Sequence, residues 1–267
     1  MQAIARWDAF LGQIEARHRE VRSEAEANGR QFIATVAAGG DPIPLSHQLM
    51  GTASRLQDLE SKIIDTWHEK VSQAITDDGN PDEVRDRQYD KGQDLKWALE
   101  DLRDELEPRL FAELARQRYQ HALAQARVVY CQQCGKQREA PISFRVIELR
   151  CGCGAANIFD PGELMRSVAA VGTHAIAQEA AVNEWRTMRA AERRANRIRP
   201  PRPLQAVVDV ERTQIAYWRA YLAVRSRFEP EMGRDPNMEI RSRMEQWYVS
   251  HAEFEEAWVK AGRPKSI

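Results

Sequence analysis

Apolar residues recur at alternating steps of three and four along most of this chain. The first stripe contains Ile4, Trp7, Leu11, Ile14, His18, Val21 and Ala25, and comparable stripes follow within 45–71, 95–106, 164–185, 204–228 and 240–258. This spacing places side chains on one face of an α-helix, which must pack against another element. The stretch 204–228 carries two such stripes and is therefore expected to lie between neighbouring helices; one stripe contains Leu204, Val208, Ile215, Trp218 and Leu222, and the other contains Val207, Val210, Tyr217, Tyr221, Val224 and Phe228. The sequence therefore predicts a mainly α protein, a long-helix bundle of about six helices with coiled-coil character.

Turn residues predict where several of these helices begin and end. Gly39-Gly40-Asp41-Pro42 ends the first helix, and Asp77-Asp78-Gly79-Asn80-Pro81 ends the second. The third helical stretch spans 81–129 and contains Pro108, where we expect a kink or a break. Asp160-Pro161-Gly162-Glu163 is a capping sequence that begins the fourth helix.

All four cysteines lie in one short segment, CQQCGKQREAPISFRVIELRCGCGAAN. Cys131 and Cys134 form one close pair, and Cys151 and Cys153 form the other. Two tight pairs with adjacent glycines are typical of metal ligation rather than of a disulfide framework. Between the pairs, PISFRVIEL is rich in β-branched and aromatic residues, which predicts a strand.

Residues 128–159, here called the cysteine segment, resemble a zinc ribbon. CQQCG matches the C-x-x-C-G knuckle of that family, and RCGCGAANIF resembles its second knuckle followed by a short strand. The second knuckle is C-x-C, one residue shorter than the usual pattern. The resemblance implies a small inserted β element in which all four cysteines bind one structural zinc ion. A redox-active C-x-x-C pair and an iron–sulfur cluster remain alternatives.

The cysteine segment divides the chain into three predicted parts. Residues 1–127 form an N-terminal helical hairpin or bundle, 128–159 the ribbon, and 160–267 a C-terminal helical region. The whole chain has a formal net charge of -1, but residues 1–130 carry 17 basic and 23 acidic groups, and residues 163–267 carry 18 and 14. This balance favours attraction between helical halves over a strongly basic, nucleic-acid-binding domain.

One local cluster of arginines is nevertheless a candidate binding surface for nucleic acid or an acidic partner. It comprises Arg186, Arg189, Arg193, Arg194, Arg197, Arg199 and Arg202. Arginine binds phosphate through its bidentate guanidinium group. The competing interpretation is an exposed helix end at which arginines interact favourably with the helix dipole and pair with acidic helices.

The function that these patterns favour is a non-enzymatic helical interaction or scaffold protein whose structural zinc ribbon fixes or presents a docking surface. Its partner is another protein or a second copy of the chain, bound through the long helices. The alternatives are a nucleic-acid-binding protein that uses the arginine cluster and the ribbon, and an enzyme with a helical pocket. The sequence contains no phosphate-binding glycine loop, no G-x-S-x-G and no H-E-x-x-H, so no catalytic residue is assigned.

Two further expectations concern location and the histidines. The chain shows no signal peptide and no apolar run of about 18 residues, so we expect a cytoplasmic protein without a membrane contact. His18 and His251 both lie on heptad stripes, and each is expected to be a partly buried, hydrogen-bonded residue rather than a ligand or a base.

Overall fold

The computed structural model describes residues 2–125, 128–199, 202–229 and 235–260. Its α-helices are α1 (Gln2–Val36), α2 (Ile43–Thr66), α3 (Ser72–Asp77), α4 (Asp82–Ala124), α5 (Glu163–Ser167), α6 (Thr173–Ala180), α7 (Val182–Asn196), α8 (Leu204–Arg225), α9 (Pro236–Ser250) and α10 (Ala252–Lys260). Four short strands, β1 (Val128–Tyr130), β2 (Gln137–Glu139), β3 (Ile147–Arg150) and β4 (Ala156–Phe159), form two antiparallel pairs. The predicted mainly α fold with a small β insertion is confirmed.

Two π-helical turns connect α-helices without a break in the helical path. Trp67–Val71 joins α2 to α3, and Val168–Gly172 joins α5 to α6. With these turns included, the ten α-helices form eight helical stretches in the described residues. Only Ala181 separates α6 from α7, and only His251 separates α9 from α10; counting each of these pairs as one stretch gives the six that the apolar stripes predict. None of the described helices is long and apolar enough to cross a membrane.

The chain divides into two compact units, Met1–Leu114 and Ala115–Ile267. The predicted three-part division at residues 127 and 159 stays a prediction. In the first unit, the inner face of α1 packs with α2, α3 and α4. Its core contains Trp7, Leu11, Ile14, Ile63, Trp67, Val71, Ile75 and Leu99. The stripe predicted for α1 is therefore the buried face of that helix.

In the second unit, α8 contacts α6, α7, α9 and α10. Because α8 has neighbours on several sides, both of its apolar stripes are covered, and its most buried residues include Val207, Val210, Tyr217 and Tyr221. A polar network also crosses this core. The Tyr248 hydroxyl donates to buried Glu211 and accepts from the indole of Trp258 at 2.8 Å.

For the helical stretch that contains α4, the sequence predicts a kink or a break at Pro108 and an end at Val129. The helix runs through Pro108 without a break, because Leu106, Leu110 and Phe111 bury their side chains on both sides of the proline and offset its lost hydrogen bond. It ends at Ala124 rather than at Val129. Val128 and Val129 instead belong to β1, whose register pairs them with Glu139 and Arg138.

Candidate metal centre

Each cysteine pair lies in the turn of its own β-hairpin. The first turn joins β1 to β2, with Tyr130 paired to Gln137, and the second joins β3 to β4, with Arg150 paired to Ala156. The two hairpins form separate sheets. The strand expected over 141–149 begins only at Ile147, because the preceding residues form an irregular loop.

Backbone hydrogen bonds close the two turns in related ways. The N–H of Cys131 donates to the carbonyl of Lys136 at 3.0 Å, and the N–H of Cys151 donates to the carbonyl of Ala155 at 2.9 Å. The second turn is thus one residue shorter, which matches the shorter C-x-C spacing. Gly135 and Gly154 have φ values of 68° and 90°, a region that disfavours residues with a Cβ, so glycine makes both turns possible.

The four sulfur atoms converge on one point. All lie within 4.8 Å of one another. The Sγ atoms of Cys131 and Cys153 are 3.7 Å apart, and those of Cys134 and Cys151 are 3.6 Å apart, so each close pair joins the two hairpins. Tetrahedral zinc with Zn–S bonds of about 2.3 Å requires sulfurs about 3.8 Å apart. These separations are much longer than a disulfide bond of about 2.05 Å, and the cysteines are free thiols.

The surroundings of the sulfurs favour a thiolate at one position and oppose it at another. Backbone N–H groups of Cys134 and Gln133 point at the sulfur of Cys131 and lower its pKa to about 6. The N–H of Lys136 favours the thiolate of Cys134, but the three neighbouring sulfurs outweigh it and raise the pKa of Cys134 to about 11. Four thiolates at this spacing repel one another, and a bound cation removes that repulsion. The cluster therefore has the donor set and spacing of a metal site.

Asn157 forms an outer contact of this site that the sequence pattern did not indicate. Its side chain is buried, and its Nδ2 atom approaches the sulfur of Cys131 at 3.7 Å. Its Oδ1 atom accepts from the N–H of Gln132 at 3.0 Å. One amide thus links β4 to the first cysteine turn and orients a sulfur. The only sequence signal was a polar residue between apolar neighbours in ANIF.

The loop before β3 attaches the cysteine segment to helices of the second unit. The ring of Phe144 stacks on Tyr119 of α4 with centroids 5.9 Å apart and meets Phe228 edge-on at 5.3 Å. Buried Arg118 of α4 donates to the hydroxyl of Ser167 in α5. Both helices that flank the cysteine segment are therefore joined to each other, and the segment is held against them by an aromatic side chain.

The outer surface of the cysteine segment exposes large apolar side chains. Five residues of this kind lie in it, namely Val128 (42% exposed), Tyr130 (61%), Ile142 (61%), Val146 (50%) and Ile158 (78%). Single exposed apolar residues are ordinary on protein surfaces, but a concentration of them within one small module is typical of an interaction surface.

The predicted arginine cluster is divided by the structure. Arg186, Arg194, Arg197 and Arg199 are exposed, whereas Arg189, Arg193 and Arg202 are partly buried. Arg189 lies 3.6 Å from Glu192 in an ion pair. Arg202 folds back, donates to the carbonyl of Ala195 at 3.0 Å, and covers the ring of Phe254 at 4.7 Å. Part of the cluster therefore stabilises the helical unit itself.

The two heptad histidines differ from each other. His251 is partly buried and its Nδ1 atom lies 2.9 Å from the carbonyl of Trp247, as expected. His18 is fully buried, and neither ring nitrogen has a hydrogen-bond partner; its Nε2 atom is 3.8 Å from the carboxylate of Glu60. Among the described residues, the four cysteines are the one group of three or more metal-ligating side chains close enough to share an ion.

Comparison with protein-family models, with curated proteins and with solved structures found no match to this chain.

Proposed function

We propose that this protein is a non-enzymatic interaction protein in which one structural zinc ion holds the cysteine segment as a docking module. The concentration of exposed apolar side chains on that segment carries the proposal. Residues such as Tyr130 and Ile158 gain nothing from exposure to water, and burying them against a partner is favourable by roughly 25 cal/mol per Å². The metal keeps these side chains on one small, rigid support.

The choice of zinc rests on the number and spacing of the donors. Four thiolates fill the tetrahedral coordination of zinc and leave no position for water or substrate, which is the arrangement of structural rather than catalytic sites. An iron–sulfur cluster places several iron and sulfide ions between its cysteines, so sulfurs within 4.8 Å of one another favour a single ion. Cysteines that are not joined in disulfides are typical of a reducing compartment, which supports a cytoplasmic location.

Metal analysis of purified protein tests the zinc assignment. We expect one zinc ion per chain in the natural sequence and less than a fifth of that in Cys151→Ser. Far-ultraviolet circular dichroism of this variant should remain largely helical, because about six helical stretches lie outside the cysteine segment. Gly152→Ala is the matched control, since a Cβ there has open space around it. Full zinc retention by Cys151→Ser, or iron in the natural protein, contradicts the assignment.

Photo-crosslinking in the native host tests the docking surface. A benzoylphenylalanine at Tyr130 should attach the chain to a defined protein, and Ile158→Lys should reduce that product while zinc content stays unchanged. The same probe at exposed Glu15 of α1 is the control. Equal products from both probe positions, or a Tyr130 product that is insensitive to Ile158→Lys, contradict the proposal. A product of two copies of this chain identifies self-association.

Nucleic-acid binding remains the second candidate function, because four members of the arginine cluster are exposed. Replacing Arg194, Arg197 and Arg199 by Glu tests it and leaves the internal contacts of Arg189 and Arg202 in place. A gel shift that weakens with salt and is lost in this triple variant would favour nucleic acid over protein docking. Binding that is unchanged in the triple variant would remove the arginine cluster from consideration.

A further inference from the structure

The first unit contains a pocket that is separate from the metal centre. It has a volume of about 450 Å³ and lies between the first turns of α1 and the helical path formed by the end of α2, the π-helical turn and α3. Small-molecule sites typically have volumes of roughly 300–1,000 Å³. The pocket is therefore large enough for a compact organic ligand.

Aromatic and aliphatic side chains form the inner wall of the pocket. Trp7, Phe10, Val71 and Ala74 are among its lining residues. The indole of Trp7 donates to the carbonyl of Gln88 at 3.1 Å and stacks on Phe10 with centroids 5.5 Å apart. These contacts hold the Trp7 ring in place, so the apolar wall is already formed without a ligand.

The π-helical turn shapes the opposite side of the pocket. The N–H of Ser72 donates to the carbonyl of Trp67, five residues earlier, which inserts one extra residue into the turn. Within this turn Val71 is buried and Lys70 is exposed, and both line the pocket. Isolated π-helical turns occur frequently at functional sites, because the extra residue redirects side chains that a regular helix would place elsewhere.

The charged groups around the pocket favour an anion. Arg6 and Lys70 both line it, and neither has an ion-pair partner among the described residues. Lys91 of the same unit is instead paired with Asp8 at 2.5 Å. The acidic lining residue, Asp78, accepts from the N–H of Ala3 at 3.1 Å. Two unpaired cations beside an apolar wall match a ligand with one apolar part and one anionic group.

We infer that this pocket binds a small amphipathic carboxylate, such as a medium-length alkyl or aromatic acid. The apolar part lies against Trp7, Phe10 and Val71, where its burial supplies most of the affinity. The carboxylate lies at the entrance, where Arg6 and Lys70 donate charge-assisted hydrogen bonds to it. This site requires neither the zinc ion nor the docking surface proposed above.

Calorimetric titration of the full chain with octanoate, octanol and octylammonium tests this inference, because the three probes share one alkyl chain and differ in charge. We expect octanoate to bind most tightly and octylammonium most weakly. Lys70→Gln and Arg6→Gln should each weaken octanoate binding by about threefold to tenfold and leave octanol binding unchanged. Lys62→Gln and Arg19→Gln are matched controls, since both residues are exposed on the same helices but do not line the pocket.

A variant that fills the pocket provides an independent measurement. Ala74→Phe places a ring in the space between α1 and α3, so it should abolish binding of all three probes while circular dichroism shows an unchanged helix content. Equal affinity for octanoate and octylammonium would overturn the inference, as would octanoate binding that survives Ala74→Phe. Absence of measurable octanoate binding to the natural protein would also overturn it.

Discussion

Gly172 lies so close to Ala115 that a Cβ atom on the glycine would be 2.2 Å from the Cβ of the alanine. Real Cβ atoms essentially never approach within 3.0 Å of another heavy atom. Gly172 ends the second π-helical turn, and Ala115 lies in the last part of α4. The two helical paths that lead into and out of the cysteine segment therefore touch almost backbone to backbone.

Gly172→Ala should destabilise the second unit by about 1–3 kcal/mol, because the added methyl group forces these two elements apart. The backbone of Gly172 has φ -77° and ψ -34°, which alanine adopts readily, so the whole effect is steric. Urea denaturation measures the loss. Ala115→Gly in the same chain should restore most of it.

The matched control for that substitution is Gly12→Ala in α1, where a Cβ meets nothing within 4 Å. It should leave stability unchanged or raise it by about 0.5–1 kcal/mol, because alanine favours helix over glycine. If the two alanine variants had the same stability, the close contact between Gly172 and Ala115 would not exist in solution.

Gly154→Ala should weaken metal binding, because a φ of 90° strains a residue with a Cβ by about 1–2 kcal/mol. This strain falls on the turn that holds Cys151 and Cys153, so the zinc affinity should fall by about tenfold. Competition with a chromophoric chelator measures it. Gly152→Ala changes the other glycine of the same turn, where φ is not positive, and should keep the natural affinity. Equal affinities for both variants would contradict the geometry of the turn.

Asn157→Ala should lower zinc affinity by about 10–100-fold while all four ligands remain, because groups that orient a ligand commonly contribute this much. The loss arises from the contact to the Cys131 sulfur and from the bond that the amide accepts from the Gln132 N–H. Chelator competition again gives the measurement. Gln133→Ala is the control, since its side chain is exposed and its backbone N–H is retained. An unchanged affinity in Asn157→Ala would show that the amide does not orient the site.

Tyr217 should make stability fall at alkaline pH. Burial raises the pKa of Tyr217 from 10.0 to about 12, so the folded chain keeps the phenol proton after the unfolded chain has lost it. The contribution of the Tyr217 phenol to the free energy of unfolding is fully present below pH 10. It decreases by about 2–3 kcal/mol in total as the pH rises towards 12. Urea denaturation at pH 9 and pH 11.5 should therefore show a smaller loss in Tyr217→Phe than in the natural protein. Tyr130 is exposed, so Tyr130→Phe should lose as much stability between these two pH values as the natural protein does. If Tyr130→Phe reduced this loss as much as Tyr217→Phe does, burial of Tyr217 would not be the cause.

The helices were largely predictable because burial repeats with the period of the helix. The stripe from Trp7 to Ala25 predicted the buried face of α1, and the two stripes of α8 predicted neighbours on several sides. The π-helical turn was missed, although it left a signal. Ile63, Trp67, Val71 and Ile75 recur every four residues and are all buried. In a regular α-helix, four residues rotate about 40° more than one full turn, so side chains spaced by four drift away from a single face. A π-helical turn contains one extra residue, which cancels part of this drift and keeps the four side chains on one buried face.

The metal cluster was predictable from spacing, but its supports were not. Cysteine pairs in tight turns bring their own sulfurs together through local backbone geometry. Asn157 and Phe144 act through contacts with residues distant in the chain, and neither has a distinctive sequence context. The division of the arginine cluster depends similarly on the position of Phe254, which only the folded chain brings beside Arg202.

The four cysteines of the cluster differ in their exposure to solvent. Cys134 and Cys153 are exposed, one in each hairpin, while Cys131 is buried beside Asn157. An incoming chelator or metal-accepting protein can thus displace the thiolates of Cys134 and Cys153 from the proposed zinc ion before it disturbs the other two. Metal transfer should accordingly proceed by stepwise ligand exchange at the surface, at a rate that depends on the concentration of the acceptor and not on the rate at which the helices unfold.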